Sequence, residues 1–135
     1  MAVVLDASTL IAFLLGEEAS PVAEEAMRVA EAEGAIAPVI WWYETRNALV
    51  VNQRRKRISK TEADVLLEAI VRLRIEIDRE TPDAIVSLAR KRAITVYDAA
   101  YIELALRREF LLATLDADLA RAATAEGVGI IGAAR

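Results

Sequence analysis

The chain has 135 residues, a 56% apolar composition with only 5% aromatic residues, and a formal charge of −4. This length and composition predict one folded domain over residues 1–135, with a core of Ala, Val, Leu and Ile, and exclude disorder. The charge excludes a general basic field for holding nucleic acid, so any RNA or DNA contact has to be local or metal-mediated.

Val3 to Leu5 reads as a short buried strand and Ser8 to Leu15 as a helix stopped by Gly16. A second helix is predicted from Pro21, a good first-turn residue, to Glu33, with Gly34 ending it. Ala35 to Ala37 follows as a strand, and Ile40 to about Arg55 has helical spacing with Trp41, Ala48 and Val51 near one face. Ser59-Lys60-Thr61-Glu62 has the form of a capping box and opens a helix that ends near Leu73. Ile75 to Ile77 alternates like a strand, Thr81-Pro82 opens a helix through Arg90, and Thr95 to Asp98 caps another running to Arg108. Phe110 to Thr114 is a strand, Asp116 to Ala125 a helix, and Val128 to Ile131 a last strand after Gly127. Strands that alternate with helices imply an α/β fold whose parallel sheet is covered on both faces, with right-handed crossovers.

No apolar stretch reaches the roughly 20 residues of a membrane helix, since Pro38, Glu44 and charged neighbours interrupt the longest ones. The amino terminus enters a strand with no basic region or signal-like core. A soluble, cytoplasmic protein with no membrane partner is expected. There is no cysteine or histidine, which removes disulfides, thiolate nucleophiles, the usual zinc sites and a histidine base for a serine nucleophile.

The acidic residues carry the chemistry. Asp6 follows Val3-Val4-Leu5, Asp116 ends the apolar run Phe110 to Leu115, Asp98 lies in the first turn of its helix, and Glu44 lies early in another. Parallel strands put Asp6 and Asp116 at one edge of the sheet, the edge where open α/β sheets bind ligands. Helices that follow those strands begin there too, so four carboxylates can converge on one pocket. Singly, each has a structural reading: Asp at helix starts caps and meets the dipole, and Glu44 fits a solvated helix position. Their joint placement favours a site. Bare anions at close range raise one another's pKa, and a divalent cation resolves the conflict. Oxygen-only ligation suits Mg²⁺ or Mn²⁺, ions that bind phosphate oxygens and activate water for in-line displacement. Phosphodiester hydrolysis is the chemistry such a site predicts.

Four segments, Val4 to Ser8, Tyr43 to Leu49, Tyr97 to Tyr101 and Ala113 to Leu119, resemble in order and spacing the signature segments of PIN-domain nucleases. They are most similar to the VapC-type toxins of bacterial and archaeal toxin–antitoxin pairs. The resemblance implies a three-layer α/β/α sandwich with a mainly parallel sheet of about five strands. It implies Asp6, Glu44, Asp98 and Asp116 as catalytic acids, with Asp6, Asp98 and Asp116 on the metal. Ser8, Asn47, Thr114 and Asp118 are implied as polar neighbours, Asp118 having a surface role as its alternative. The implied activity is Mg²⁺- or Mn²⁺-dependent cleavage of RNA, often a tRNA or rRNA. A VapB-type antitoxin and a homodimer built on the Trp41 and Ser59 helices are the implied partners. Alternatives are a catalytically silent PIN-like binding module and a stand-alone RNA-processing nuclease.

The basic clusters Arg54 to Arg57, Arg90 to Arg92 and Arg107-Arg108 fall at predicted helix carboxyl ends, where the dipole favours cations. They are expected to be solvated and to lie at the far edge from the acids. Trp41, Trp42, Tyr43, Tyr97 and Tyr101 are expected in the core or an interface rather than stacked on bases. A haloacid-dehalogenase site wants a second Asp where Ser8 stands, and a receiver-like site wants a lysine where Gly132 to Ala134 follow the last strand. The five glycines form no dinucleotide or P-loop motif.

Overall fold

All seven expected helices and four of the five expected strands form, in the order β1(Val3–Leu5), α1(Ala7–Leu15), α2(Pro21–Glu33), β2(Ala35–Pro38), α3(Ile40–Arg54), α4(Lys60–Arg72), β3(Glu76–Asp78), α5(Ala84–Arg92), α6(Val96–Arg108), β4(Leu111–Ala113) and α7(Ala117–Ala125). The computed structural model describes residues 1–16 and 20–131; the stretch 132–134 compared above with a receiver site lies outside them.

At α2, α4 and α6 the side chains that start the helix are those expected from their chemistry. Ser20 accepts from Ala23 N–H at 3.2 Å ahead of Pro21, and Thr95 accepts from Asp98 N–H at 3.0 Å. Ser59 and Glu62 form the reciprocal capping box, both bonds being 3.0 Å. Such caps satisfy amide groups that have no partner within the helix. The buried face of α3 differs from expectation: it is Trp41, Thr45, Leu49 and Asn52. Thr45 fits there because its hydroxyl donates back to Trp41 O at 3.0 Å. Helix α5 begins three residues later than Thr81, since the Pro82 and Asp83 carbonyls close a tight turn onto Ile85 and Val86 first.

The four strands are parallel in the order β3-β2-β1-β4. The expected fifth strand is reduced to one parallel bridge, Ile130 beside Leu112. Val128 N–H is held by the end of α7, donating to Ala123 O at 3.0 Å, so pairing with β4 starts only at Gly129. Consecutive Val3, Val4 and Leu5 are all fully buried, which requires cover on both faces of β1. Helices α2 and α6 each pack along β1, β2 and β4. Chain order reverses between β1 and β4, the topological switch point at which the carboxyl ends of such sheets open a crevice. Among the described residues, no helix is long and apolar enough to cross a membrane.

Helix α6 sets one wall of that crevice and buries Tyr101, Ile102, Leu104 and Ala105 against the sheet. Replacing the fully buried Leu104 by Ala should lower the unfolding free energy by about 2–5 kcal/mol, read from the urea midpoint at unchanged slope.

Candidate active site

Asp6 leaves β1 at the switch point. Its backbone N–H still donates to Ala113 O at 3.0 Å, continuing the β1–β4 ladder, while its side chain is buried. One carboxylate oxygen, Oδ1, accepts from Ser8 N–H and caps α1. The other, Oδ2, accepts from the buried Thr114 hydroxyl at 2.5 Å. Thr114 Oγ1 in turn accepts from Asp116 N–H at 3.0 Å. Asp116 caps α7 through Oδ1, which accepts from the amides of Asp118 at 2.9 Å and Leu119 at 3.1 Å.

Glu44, half-buried on α3, is held across the crevice by Tyr101, whose hydroxyl donates to Oε1 at 2.6 Å. Tyr101 follows Asp98 by three residues on α6, which places the two on one helical face. Asp98 itself is half-buried in the first turn of α6. The four acids therefore come from four elements onto the carboxyl edge of the sheet.

The neighbours divide. Thr114 and Ser8 are part of the arrangement, Ser8 being exposed on the groove while it lowers the Asp6 pKa through both its side chain and its backbone N–H. Asn47, one turn after Glu44, is exposed, and its side chain makes no hydrogen bond among the described residues. Asp118 is exposed and paired with Arg121. Tyr101, expected in the core or an interface, is both buried and the polar partner of Glu44. Its signal was the spacing of three from Asp98. Trp41 is core as expected, while Trp42 and Tyr43 are exposed.

The electrostatics follow from burial and like charge. Burial pushes the Asp6 carboxyl up, its bonds from Thr114 and Ser8 pull it down, and the charge of Asp116 pushes it up again, leaving it above the ordinary value. Glu44 is raised by burial, against the bond from Tyr101, with Asp6 and Asp98 adding repulsion. Asp98 is raised by burial and by the charges of Asp116, Asp6 and Asp118. No ion pair among the described residues reaches any of the four acids. Nor do any three acidic side chains among those residues stand as a ready-made cage for an ion. An all-oxygen set of mutually repelling carboxylates fits a hard divalent cation by donor chemistry; gripping one requires them to draw together.

Among the described residues, two grooves open on the acids. One, of about 370 Å³, runs between α1 and α3 past Ser8, Ala12, Glu44, Ala48 and Asn52 to Arg57. The other, of about 510 Å³, holds Asp98 and Asp118 beside Arg92 and Arg121. This corrects the expectation that the basic clusters all lie at the far edge. The chain passes from α5 to α6 with no strand between, so Arg92 ends near where Asp98 begins. Arg57 is turned back by Lys56, whose φ of 59° is left-handed. Arg107 and Arg108 are instead held by carboxylates, Arg107 by Asp78, Glu103 and Glu80 at 2.6, 2.9 and 2.8 Å.

A parallel α/β sheet that gathers acidic side chains at its switch point defines a class of protein that the comparisons identify. Residues 3–125 match the model of the PIN domain, and the chain belongs to that family. Ribonuclease VapC3 of Pyrobaculum aerophilum is 36% identical over 124 residues, spanning 89% of this chain and 93% of its own. The crystal structure of PAE2754 from Pyrobaculum aerophilum superposes with a TM-score of 0.74 at 23% identity, over 97% of this chain and 84% of that one. FitAcB from Neisseria gonorrhoeae gives 0.67 at 21% identity, over 98% and 97%. These two structures share the fold.

A carboxyl whose folded pKa is raised contributes stability fully below its unfolded value of about 3.9 and loses it as pH rises through the folded value. Asp98 is such a group. In metal-chelating buffer, Asp98→Asn should therefore be more stable than the parent at pH 7, with the gap closing as pH falls toward 4. Paired urea unfolding at several pH values reads this directly, and a gap that widens on acidification would contradict it.

Proposed function

We propose that this chain is a metal-dependent endoribonuclease that hydrolyses RNA phosphodiester bonds, acting as one domain over residues 1–135 and as the toxin of a VapBC-type pair. The observation that carries the reading is the meeting of Asp6, Glu44, Asp98 and Asp116 at the switch point with no counter-cation among the described residues. Kinship with a protein named as a ribonuclease supports it.

Asp6, Asp98 and Asp116 are the residues that would hold Mg²⁺ or Mn²⁺. Such an ion, when bound, polarises the scissile phosphate and lowers the pKa of an attacking water. The remaining work falls to the chain. Thr114 and Ser8 N–H occupy both oxygens of Asp6 and fix its direction, and Tyr101 fixes Glu44. Among the described residues, the oxygens left open are both of Asp98, Oδ2 of Asp116 and Oε2 of Glu44. As the water oxygen bonds to phosphorus and the phosphorus bond to the leaving ribose oxygen breaks, the proton lost by the water goes to one of these, and the leaving oxygen takes up a proton from solvent to become a hydroxyl.

The substrate is a structured RNA of the tRNA or rRNA class, the partner is a VapB-type antitoxin, and the protein works in the cytoplasm. A homodimer fits the exposed apolar side chains Tyr43, Val96 and Tyr97 around a groove of about 330 Å³, and Val65 and Val71 on α4. A second reading, a silent PIN-like binding module, has in its favour the lack of a ready-made ion cage among the described residues. Retention of all four acids weighs against it. A stand-alone RNA-processing nuclease differs only in lacking an antitoxin.

The test is cleavage of a pool of structured RNAs by the purified, partner-free chain. Cutting should require Mg²⁺ or Mn²⁺, stop with EDTA, and fall at least about a hundredfold in Asp6→Asn and Asp98→Asn. Tyr101→Phe, which releases Glu44 while keeping the packing, should lose about tenfold in kcat, about 1.4 kcal/mol of barrier. Cutting that persists in EDTA would contradict the metal requirement, and a folded protein silent with every metal would contradict the nuclease and favour the binding module.

A further inference from the structure

The run Arg54-Arg55-Lys56-Arg57 is not absorbed by the site as described. None of the four joins an ion pair among the described residues, whereas Lys91, Arg92, Arg107 and Arg108 all do. The left-handed turn at Lys56 folds the chain back so that Arg57 N–H donates to Asn52 O at 2.9 Å. Asn52 lies eight residues beyond Glu44, about 12 Å along the helix, and Glu44, Ala48 and Asn52 form one stripe of α3 facing α1. The groove between them thus has Glu44 at one end, small and apolar side chains along its floor, and Arg57 at the other.

We propose that this groove seats the RNA strand beside the scissile bond, with the Arg57 guanidinium on a backbone phosphate of the flanking nucleotides. The inference rests on the nuclease reading. A chain of net charge −4 with four carboxylates at its cutting centre repels a polyanion, so binding needs a local cation within reach of the cut. Arg57 supplies it, with a planar fork that matches phosphate oxygens. The floor at Ala12 and Ala48 leaves room for ribose and base faces. The wall also holds Asn52, whose amide nitrogen donates to Ala48 O at 2.7 Å. A polyanionic strand uses both the apolar floor and the run Arg54 to Arg57, which has no carboxylate partner among the described residues. Arg57 is accordingly a substrate-positioning residue.

The test measures binding of the same pool of structured RNAs, labelled, to the full chain carrying Asp98→Asn, with and without Arg57→Ala, across a range of salt. Cleavage by the chain with Asp98 intact is followed in parallel. Arg74→Ala removes the same charge just before β3, at the opposite edge of the sheet, and serves as the comparison. Arg57→Ala should weaken binding about tenfold, lower the slope of log affinity on log salt by about 0.7, and raise KM for cleavage by a similar factor. Arg57→Lys should recover the slope, and Arg74→Ala should stay within about twofold. Arg57→Ala that binds and cuts like Arg74→Ala overturns the groove while leaving the nuclease intact. RNA binding that depends on Arg57 without any cleavage overturns the nuclease and keeps the groove. No RNA binding by either background overturns both.

Discussion

A single buried hydroxyl sets the spacing of the site. Thr114 Oγ1 donates to Asp6 Oδ2 at 2.5 Å and accepts from Asp116 N–H at 3.0 Å, so one side chain joins the ends of the two strands that flank the switch point. Because β1 and β4 are parallel and in register from Val3–Leu111 to Leu5–Ala113, Asp6 and Thr114 leave the sheet level with each other. Both aspartates then start helices. Capping and service in the site are the same geometry here: a carboxylate placed where a strand ends and a helix begins faces amide groups on one side and the crevice on the other. The positive ends of α1 and α7 offset part of the charge gathered there.

That offset is incomplete, and the rest of the molecule reads as a response to it. Burial and mutual repulsion hold Asp6, Glu44 and Asp98 above their ordinary pKa values. Tyr101 keeps Glu44 in place at the cost of a phenol driven well above its own ordinary pKa, first by burial and then by Glu44 itself. Cations stand back from the acids, at the ends of the two grooves, where Arg57 and Arg92 line the walls. Arg92 is occupied by Glu126 at 2.6 Å, while Arg57 has no carboxylate among the described residues. On the proposed reading the centre is left to a divalent ion and the approach to arginine, an arrangement that would neutralise a phosphate without quenching the acids.

The elements were legible because their ends are written in local chemistry. Ser59 with Glu62, Thr95 before α6 and Pro21 after Ser20 mark helix starts that need no tertiary information. Asp6, Asp98 and Asp116 were legible because each sits at such a junction, whereas Glu44, five residues into α3 with no side-chain cap before it, was legible only through the segment around it. What escaped the sequence depends on contacts between distant segments. Tyr101 reads as an ordinary core aromatic until α3 brings Glu44 within 2.6 Å of its hydroxyl. Asn47 and Asn52 are equally polar on paper, and only the packing of α3 on α1 decides that Asn52 is buried in the groove wall while Asn47 faces solvent. The position of Arg57 turns on a left-handed residue at Lys56, an unusual backbone for a non-glycine residue that composition does not announce. The last strand fails for a local reason, the capture of Val128 by the end of α7, which a strand pattern cannot reveal.

The claim on which this account stands is that four repelling carboxylates form one centre completed by a divalent ion. Titration of Mn²⁺ into the metal-free chain, followed by calorimetry and by the thermal midpoint, tests it most directly. The account predicts saturable binding that raises the midpoint in the parent protein and is lost or strongly weakened in both Asp6→Asn and Asp98→Asn. A midpoint indifferent to millimolar Mn²⁺, or binding that survives both substitutions, would show that the acids at the switch point are not a metal centre.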